Sequence, residues 1–282
     1  MRPQRTLKHT VVLKGKGIHS GKGVKVSIKQ APVDAGVIFI RTDLKKRPRI
    51  PASPSYLTSD SGSLRCTAVE KDGVRIYTIE HIMAAISSLG IDNAEIEIDG
   101  EEFPNLDGSA REYAYKLRTA GTVDQDRQKR EFKLEQAVWF CDGDGTLIAV
   151  PSDRFSVSYV LQYEGPDCLI QGAHFSFKDF DDKRDIFIKE IAGARTFCRE
   201  RDVAHILEKG LGRGGSYRNT LVIRDGEPIG NKFRFTNEPA RHKILDLLGD
   251  LALLNVEICA HIIGIRSGHA LNAKLVRELA MR

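Results

Sequence analysis

The sequence predicts an α+β protein built from two similar halves. Segments typical of strands and helices occur in separate blocks without strict βαβ alternation, which favours sheets that carry helices on one face. The chain also contains a weak internal duplication: residues 81–98 and 242–260 each give a histidine, an apolar helix, an asparagine and a strand. Two helix–strand units can look alike by chance. A true repeat would make the halves face each other, each offering a histidine to the cleft between them.

In the first half, short alternating or apolar runs bounded by turn residues predict strands, and longer amphipathic runs predict helices. The predicted order is strands at residues 24–28, 36–40 and 74–77, a helix at 79–89, a strand at 94–98 and a helix at 110–120. Residues 121–129 are polar and show no hydrophobic period. We therefore expect one domain at residues 1–125 and a second at 126–282, since 282 residues exceed the usual length of a single domain.

The second half is predicted to begin again with strands and to end with a helix and a buried strand. The predicted strands are at residues 131–140, 146–151 and 155–162, followed by helical pieces at 186–193 and 201–209. Residues 244–265 are largely apolar but contain Asp246, Asp250 and Glu257, which would be unfavourable in a bilayer. A helix with a polar stripe, followed by a buried strand, explains this segment better than a membrane span.

Composition limits the classes of partner. The hydrophobic fraction of 41% and the charged fraction of 29% are ordinary for a globular protein. A net charge of +5, spread along the chain, suits an anionic substrate and does not indicate nucleic acid binding. Five cysteines without a CxxC spacing, and basic N-terminal residues without an apolar stretch behind them, favour the cytoplasm.

Two short strings carry most of the chemistry, and both are expected in the first turn of a helix. Glu80 precedes His81, while His242 and Asp246 are four residues apart and so share one helix face. Two histidines and an aspartate are protein ligands suited to a catalytic zinc ion, which keeps its fourth position open for water. Glu80 is well placed to accept a proton from that water, and His269 is a further candidate. The pattern indicates a metallohydrolase.

Other interpretations of these residues remain open at this point. Any single histidine at a helix start can simply cap or pack locally, and His269 could lie in a loop. Two histidines and a carboxylate also form the iron site of non-haem oxygenases. A third alternative is a non-catalytic protein that uses these residues only for binding.

The chain resembles the family of UDP-3-O-acyl-N-acetylglucosamine deacetylases, the zinc amidases of lipid A biosynthesis. The resemblance extends over nearly the whole chain and is strongest in the two segments that contain the candidate site residues. It is carried by residues 4–7, 17–21, 78–81, 90–93, 104–110, 194–197, 241–251 and 267–272. Arg218 stands where the family's turn has an aspartate, and residues 225–234 also depart from the family pattern.

The resemblance implies a role for each candidate. His81, His242 and Asp246 would hold zinc, with ferrous iron as an alternative in the cell. Glu80 would be the general base and His269 the general acid. The reaction would be hydrolysis of the N-acetyl group of UDP-3-O-(3-hydroxyacyl)-N-acetylglucosamine, with release of acetate. The non-catalytic alternative would then be a paralogue of these enzymes that binds a UDP-sugar or a lipid.

The resemblance also implies supporting residues and an architecture. Asp250 would orient the general acid, and Thr196 would donate a hydrogen bond to the developing oxyanion. Contacts to the UDP-sugar are expected from Phe197, Lys243, His19 and Arg266. The family fold has helices sandwiched between the sheets of two similar domains, the active site at their junction, and an insert near residues 196–219 that encloses the acyl chain. We expect a monomer with at most peripheral membrane contact.

Overall fold

The computed structural model of the protein describes residues 2–60, 64–165 and 168–282. The strands of the first half are β1 (Pro3–Leu7), β2 (Val11–Lys16), β3 (Gly23–Gln30), β4 (Val37–Arg41), β5 (Arg49–Pro51), β6 (Ala68–Lys71), β7 (Val74–Tyr77), β8 (Ala94–Ile98) and β9 (Thr122–Gln128). Those of the second half are β10 (Glu131–Lys133), β11 (Val138–Asp142), β12 (Gly145–Pro151), β13 (Ser156–Tyr163), β14 (Leu169–Ser176), β15 (Phe197–Arg199), β16 (Leu221–Arg224), β17 (Glu227–Ile229) and β18 (Glu257–Ile265). The α-helices are α1 (Glu80–Ser88), α2 (Arg111–Ala120), α3 (Phe180–Ile186), α4 (Glu200–Glu208), α5 (Glu238–Leu251) and α6 (His269–Ala280).

The two halves contain sheets of the same topology. The order is β2-β3-β8-β4-β5 in the first half and β11-β12-β18-β13-β14 in the second, with β10 added beside β18. In each sheet the central strand, β8 or β18, is antiparallel to one neighbour and parallel to the other. Each central strand also follows the helix that carries a site histidine. The weak duplication in the sequence therefore corresponds to a repeated structural unit.

Four helices lie between these sheets. Helices α1 and α5 pack against each other; α2 packs on α1 and β2, while α6 packs on α5, β11 and β12. Buried side chains alternate with exposed or half-buried ones along β3, and with half-buried ones along β12, so each sheet turns one apolar face toward the helices. A single hydrophobic core runs through both halves. The α+β architecture with sandwiched helices is confirmed.

The repeated unit shows one difference from the expected helix starts. The strand at residues 94–98 and the start of α1 at Glu80 match the sequence pattern, so His81 lies in the first turn. Helix α5 instead begins at Glu238, and His242 therefore lies in its second turn. Pro239 explains the earlier start, because its fixed φ angle suits the first turn of a helix.

Two segments outside the repeat complete the fold. Strand β9, which spans the expected domain boundary, pairs with β1. In the second half, β15, α4 and β16 form a βαβ unit whose strands are parallel, and β17 extends it as a third strand. Its role in enclosing an acyl chain stays a prediction. Among the described residues, no helix combines the length and the apolar character needed to cross a membrane.

A buried ion network joins the two halves beside the repeated strands. Asp92 is 3% exposed. It pairs with Arg2 Nη1 at 2.6 Å and with Lys129 Nζ at 2.8 Å. Arg2 also reaches Glu257 of the second half at 2.8 Å. Although burial alone would raise the pKa of the Asp92 carboxyl, these two cations hold it below its usual value.

Replacing Asp92 with alanine should lower the free energy of unfolding by about 3–5 kcal/mol, because buried Lys129 loses its paired carboxylate and Arg2 loses one of its two. The loss should be largest near neutral pH. Since the folded pKa of Asp92 is depressed, its contribution is present above the unfolded pKa of about 3.9 and fades as the pH falls below that value. Urea denaturation of both proteins across this pH range measures the difference.

Asp124→Ala is the matched control, because Asp124 pairs with Arg5 while 61% of its side chain is exposed. A surface pair of this kind contributes about 0–1 kcal/mol. Equal losses for the two variants would show that the buried network stabilises the fold no more than an exposed ion pair does.

Candidate metal centre

Close packing of α1 against α5 sets the frame of the site. Gly249 of α5 lies against the backbone of Glu80 in α1. A Cβ atom at position 249 would stand 2.0 Å from the Glu80 carbonyl oxygen and 2.8 Å from its Cα atom. Only glycine therefore permits this approach. The consequence is that Glu80 and His81 come level with His242 and Asp246 of the other half.

His81, His242 and Asp246 form a group that could hold a metal ion. One ligand atom from each lies within 4.8 Å of the others, and all three residues are buried. The Asp246 Oδ1 atom is 3.3 Å from His242 Nε2 and 3.8 Å from His81 Nε2. Two imidazoles and one carboxylate are a donor set suited to Zn²⁺ or Fe²⁺, so these residues fit the metal that the sequence predicts.

The imidazole rings are prepared to act as ligands. The Nδ1–H of His242 donates a hydrogen bond to the carbonyl oxygen of Ala194 at 3.0 Å, which leaves Nε2 unprotonated toward Asp246. Burial lowers the pKa of His81 to about 3, with a further contribution from His242. Burial also lowers the pKa of His242. This residue lies in the second turn of α5, away from the helix end, so burial is the cause of the shift. Both rings are therefore neutral at pH 7.

Lys243 adds a positive charge directly beside this group. Its Nζ atom donates to Asp246 Oδ2 at 2.8 Å. Burial alone would lower the pKa of Lys243, but Asp246 raises it above its ordinary value. Burial would also raise the pKa of Asp246, whereas His242 and Lys243 hold it well below its usual range. Asp246 thus stays ionised and can serve as an anionic ligand.

Glu80 is buried at the start of α1, beside the metal-ligand group. Its Oε2 atom accepts a hydrogen bond from the backbone N–H of Thr67 at 3.0 Å. Burial raises the pKa of Glu80 to about 8, whereas the charge of His269 opposes this shift. A divalent cation next to it would favour the carboxylate form. Desolvation makes this carboxylate more basic than an exposed one, as a general base requires.

His269, at the first position of α6, also lies beside the metal-ligand group. Its Nδ1 atom lies 3.2 Å from Asp250 Oδ2, and its Nε2 atom lies 3.8 Å from Asp246 Oδ2. Burial alone would lower the pKa of His269, but the Asp250 carboxylate raises it to about 9. Asn272 donates to the same Asp250 oxygen at 2.8 Å. The imidazole is therefore held protonated, with Nε2 turned toward the site.

A cavity of about 1000 Å³ contains the site. Ten of the eleven residues predicted from the sequence line it, and the eleventh, Asp250, lies behind His269. The βαβ unit contributes apolar side chains to the cavity lining, including Val203 and Ile206 of α4 and Val222 of β16. The predicted residues thus lie around one cavity, whose lining combines the polar site residues with apolar side chains of the βαβ unit.

The residues predicted to contact substrate differ in how free they are to do so. The guanidinium of Arg266 is paired with Glu164 at 2.9 Å and with Asp144 at 3.0 Å. The Phe197 ring stands edge-on to His242, with ring centroids 6.1 Å apart. Thr196 is fixed by its backbone, which donates to Gly108 O at 2.7 Å.

His19 is held in place by a glutamate that the sequence analysis did not identify. Its backbone N–H donates to Glu102 Oε1 at 2.7 Å, and the N–H of Ser20 donates to Oε2 at 2.8 Å. The Nδ1 atom of His19 is buried and has no hydrogen-bond partner among the described residues. Burial lowers the pKa of its ring. His19 therefore lines the cavity with an imidazole whose burial favours the neutral form.

Sequence reasoning also missed Thr67 and Asn272, both of which hold site residues. Asn272 lies in the last of the segments that carry the family resemblance, so the signal was present but unused. Thr67 sits between a buried cysteine and β6, where nothing in the local pattern separates it from an ordinary strand residue. Glu102 could have been suspected only because a carboxylate in a turn rich in apolar residues requires partners.

A buried His–His–Asp group with an adjacent glutamate and a protonated histidine is the kind of site that metal-dependent hydrolases use. The model of the UDP-3-O-acyl N-acetylglycosamine deacetylase family (LpxC) matches residues 4–281. The chain therefore belongs to this family of deacetylases, which are metalloenzymes.

Curated relatives agree with the family match. The chain is 40% identical to the UDP-3-O-acyl-N-acetylglucosamine deacetylase of Myxococcus xanthus, with 99% of this chain and 88% of that protein covered. It is 38% identical to the enzyme of the same name from Xanthomonas euvesicatoria pv. vesicatoria, with 99% and 90% covered. The resemblance noted in the sequence is confirmed.

Proposed function

We propose that this protein hydrolyses the N-acetyl group of UDP-3-O-(3-hydroxyacyl)-N-acetylglucosamine and releases acetate, as a zinc-dependent step of lipid A biosynthesis. The observation that carries the proposal is that Glu80 and His269 both lie beside the His81–His242–Asp246 group, with His269 Nε2 3.8 Å from Asp246 Oδ2. A base and an acid flanking a metal-ligand group are what hydrolysis of an unactivated amide requires.

Each residue has a separate task in this proposal. His81, His242 and Asp246 would hold the metal ion, which when bound would supply Lewis acidity for lowering the pKa of water and polarising a carbonyl oxygen. Glu80 takes the proton of the attacking water on its carboxylate. His269 gives the proton on its Nε2 atom to the nitrogen of the departing amine. Without that proton the amine would leave as an anion, which is far too basic.

Thr196 and Lys243 are assigned to charge stabilisation. The Thr196 hydroxyl would donate to the oxyanion that forms as water attacks, an interaction strongest in the transition state. Lys243 stays charged because Asp246 raises its pKa, so it keeps a cation beside the same developing charge. Asp250 would act through His269 by holding its Nδ1 atom.

The cavity suits a nucleotide sugar that carries an acyl chain. Phe197 can pack on the sugar, His19 lines the cavity beside it, and Arg266 can exchange one of its carboxylate partners for a phosphate. The acyl chain would bind against the apolar side chains that the βαβ unit contributes to the cavity. We further propose a cytoplasmic monomer that contacts the membrane at most peripherally.

Metal removal tests the proposal directly. Protein stripped of metal should release no acetate from UDP-3-O-(3-hydroxyacyl)-N-acetylglucosamine, and one equivalent of zinc should restore release in the absence of oxygen. Adding ferrous iron in place of zinc under the same conditions shows whether iron also restores acetate release. Zinc that binds without restoring acetate release would contradict the proposed reaction, and an oxygen requirement would favour the oxygenase alternative.

His242→Ala is the matched variant for this experiment, and His261→Ala is its control. His242 belongs to the candidate metal group, so its loss should remove stoichiometric zinc binding as measured by calorimetry. His261 lies on β18, where its Nε2 atom is hydrogen-bonded to the hydroxyl of Ser158 in the same sheet. Its loss should therefore leave zinc binding intact. Equal zinc binding by the two variants would mean that the ligands are assigned wrongly.

A further inference from the structure

Thr67 contacts the base, the acid and the residue that orients the acid. It is 2% exposed and immediately precedes β6. Its backbone N–H donates to Glu80 Oε2 at 3.0 Å. Its hydroxyl oxygen lies 2.5 Å from Asp250 Oδ1 and 3.0 Å from His269 Nδ1. One residue therefore connects side chains from α1, α5 and α6.

The hydrogen atoms around Thr67 can be assigned from what each group is able to donate. The Asp250 carboxylate accepts only, so the Thr67 hydroxyl donates its single proton there. The Thr67 oxygen then accepts from Nδ1–H of His269, which also faces Asp250 Oδ2. Asn272 occupies that second carboxylate oxygen at 2.8 Å. Every donor in the group has an acceptor, and His269 is left with Nε2 directed at the cavity.

The backbone of Thr67 fixes the other side of the reaction centre. Its carbonyl oxygen accepts from the N–H of Ile79, the residue before Glu80, at 3.2 Å. Together with the bond to Glu80 Oε2, this clamps the carboxylate and the start of α1 to the same residue. A shift of Thr67 would therefore move the base relative to the acid.

We infer that Thr67 is a positioning residue for the deacetylase reaction: its hydroxyl aligns the Asp250–His269 pair while its amide anchors Glu80. The inference rests on the proposed function, because it assumes that Glu80 and His269 act as base and acid. Thr67 does not line the cavity, so its effect is exerted through these residues rather than on the substrate.

Thr67→Val and Thr67→Ser test this inference. Valine keeps the branched shape but removes the hydroxyl, and kcat for acetate release should fall about tenfold to hundredfold, as for other supporting partners at metal sites. KM and zinc stoichiometry should change little. Serine restores the hydroxyl and should recover most of the lost kcat. A purely structural role would not produce that recovery together with an unchanged KM.

Thr6→Val is the matched control. Thr6 is a buried threonine of the same half, whose hydroxyl donates to Asn93 O at 2.8 Å and accepts from Ala31 N at 3.0 Å. Its loss should lower the melting temperature without changing kcat per folded enzyme. Should Thr67→Val not fold, Thr67→Ala makes the same comparison with serine without placing a methyl group against Asp250.

The outcomes separate the inference from the proposed function. A kcat for the valine or alanine variant within twofold of wild type, or equal losses in these variants and serine, would overturn the role of Thr67 while acetate release by the wild type upholds the reaction. Absence of acetate release by zinc-loaded wild-type protein would instead overturn the proposed function.

Discussion

Replacing Glu80 with glutamine is expected to lower kcat for acetate release by about 10²- to 10⁴-fold, the contribution typical of a general base. Glutamine keeps the size of the side chain and can still accept from the N–H of Thr67, but it cannot take a proton from water. KM should change little, since the loss falls on the chemical step. Steady-state kinetics on zinc-loaded protein measure both quantities.

Zinc content decides how a loss of activity in this variant is interpreted. Glu80 lies outside the group formed by His81, His242 and Asp246, so Glu80→Gln should retain one equivalent of zinc. Glu112→Gln is the control, because Glu112 is an exposed glutamate in the first turn of α2. A kcat within tenfold of wild type would show that another group accepts the proton.

The metal group and the repeated unit were predictable because each depends on local periodicity. His242 and Asp246 share a face of any helix that contains both, whatever surrounds it. The strand at residues 94–98 alternates in a way that few other structures explain. The topology of the two sheets could not be derived in this way, since pairings such as β4 with β8 depend on contacts between distant segments.

The supporting residues were less predictable for the same reason. Thr67 and Asp250 are 183 positions apart, and no periodic signal relates them. The start of α5 at Glu238 was also not predicted, because the apolar run that indicates this helix begins only near His242. Sequence patterns therefore located the reacting groups, whereas the groups that aim them became visible only through the packing of distant segments.

Gly249→Ala is expected to disrupt the site although Gly249 touches no substrate. The added Cβ atom would stand 2.0 Å from the Glu80 carbonyl oxygen and 2.7 Å from its carbonyl carbon, so the backbones of α1 and α5 must separate. A misplacement of about 1 Å in an active site can lower activity roughly 10²-fold. Zinc affinity should fall as well, because α1 carries His81 while α5 carries His242 and Asp246.

Stability should respond less than activity in this variant. Overpacking a core lowers the free energy of unfolding by about 1–3 kcal/mol. Alanine regains about 1 kcal/mol through its higher helix propensity. Gly23→Ala is the control, since a Cβ atom there meets nothing within 4 Å. Thermal unfolding should thus show that the Gly249→Ala protein is folded, while zinc titration and kinetics should show a lower zinc affinity and a lower kcat. Wild-type activity in that variant would mean that the helices separate without disturbing the base, and the close approach would then have no catalytic role.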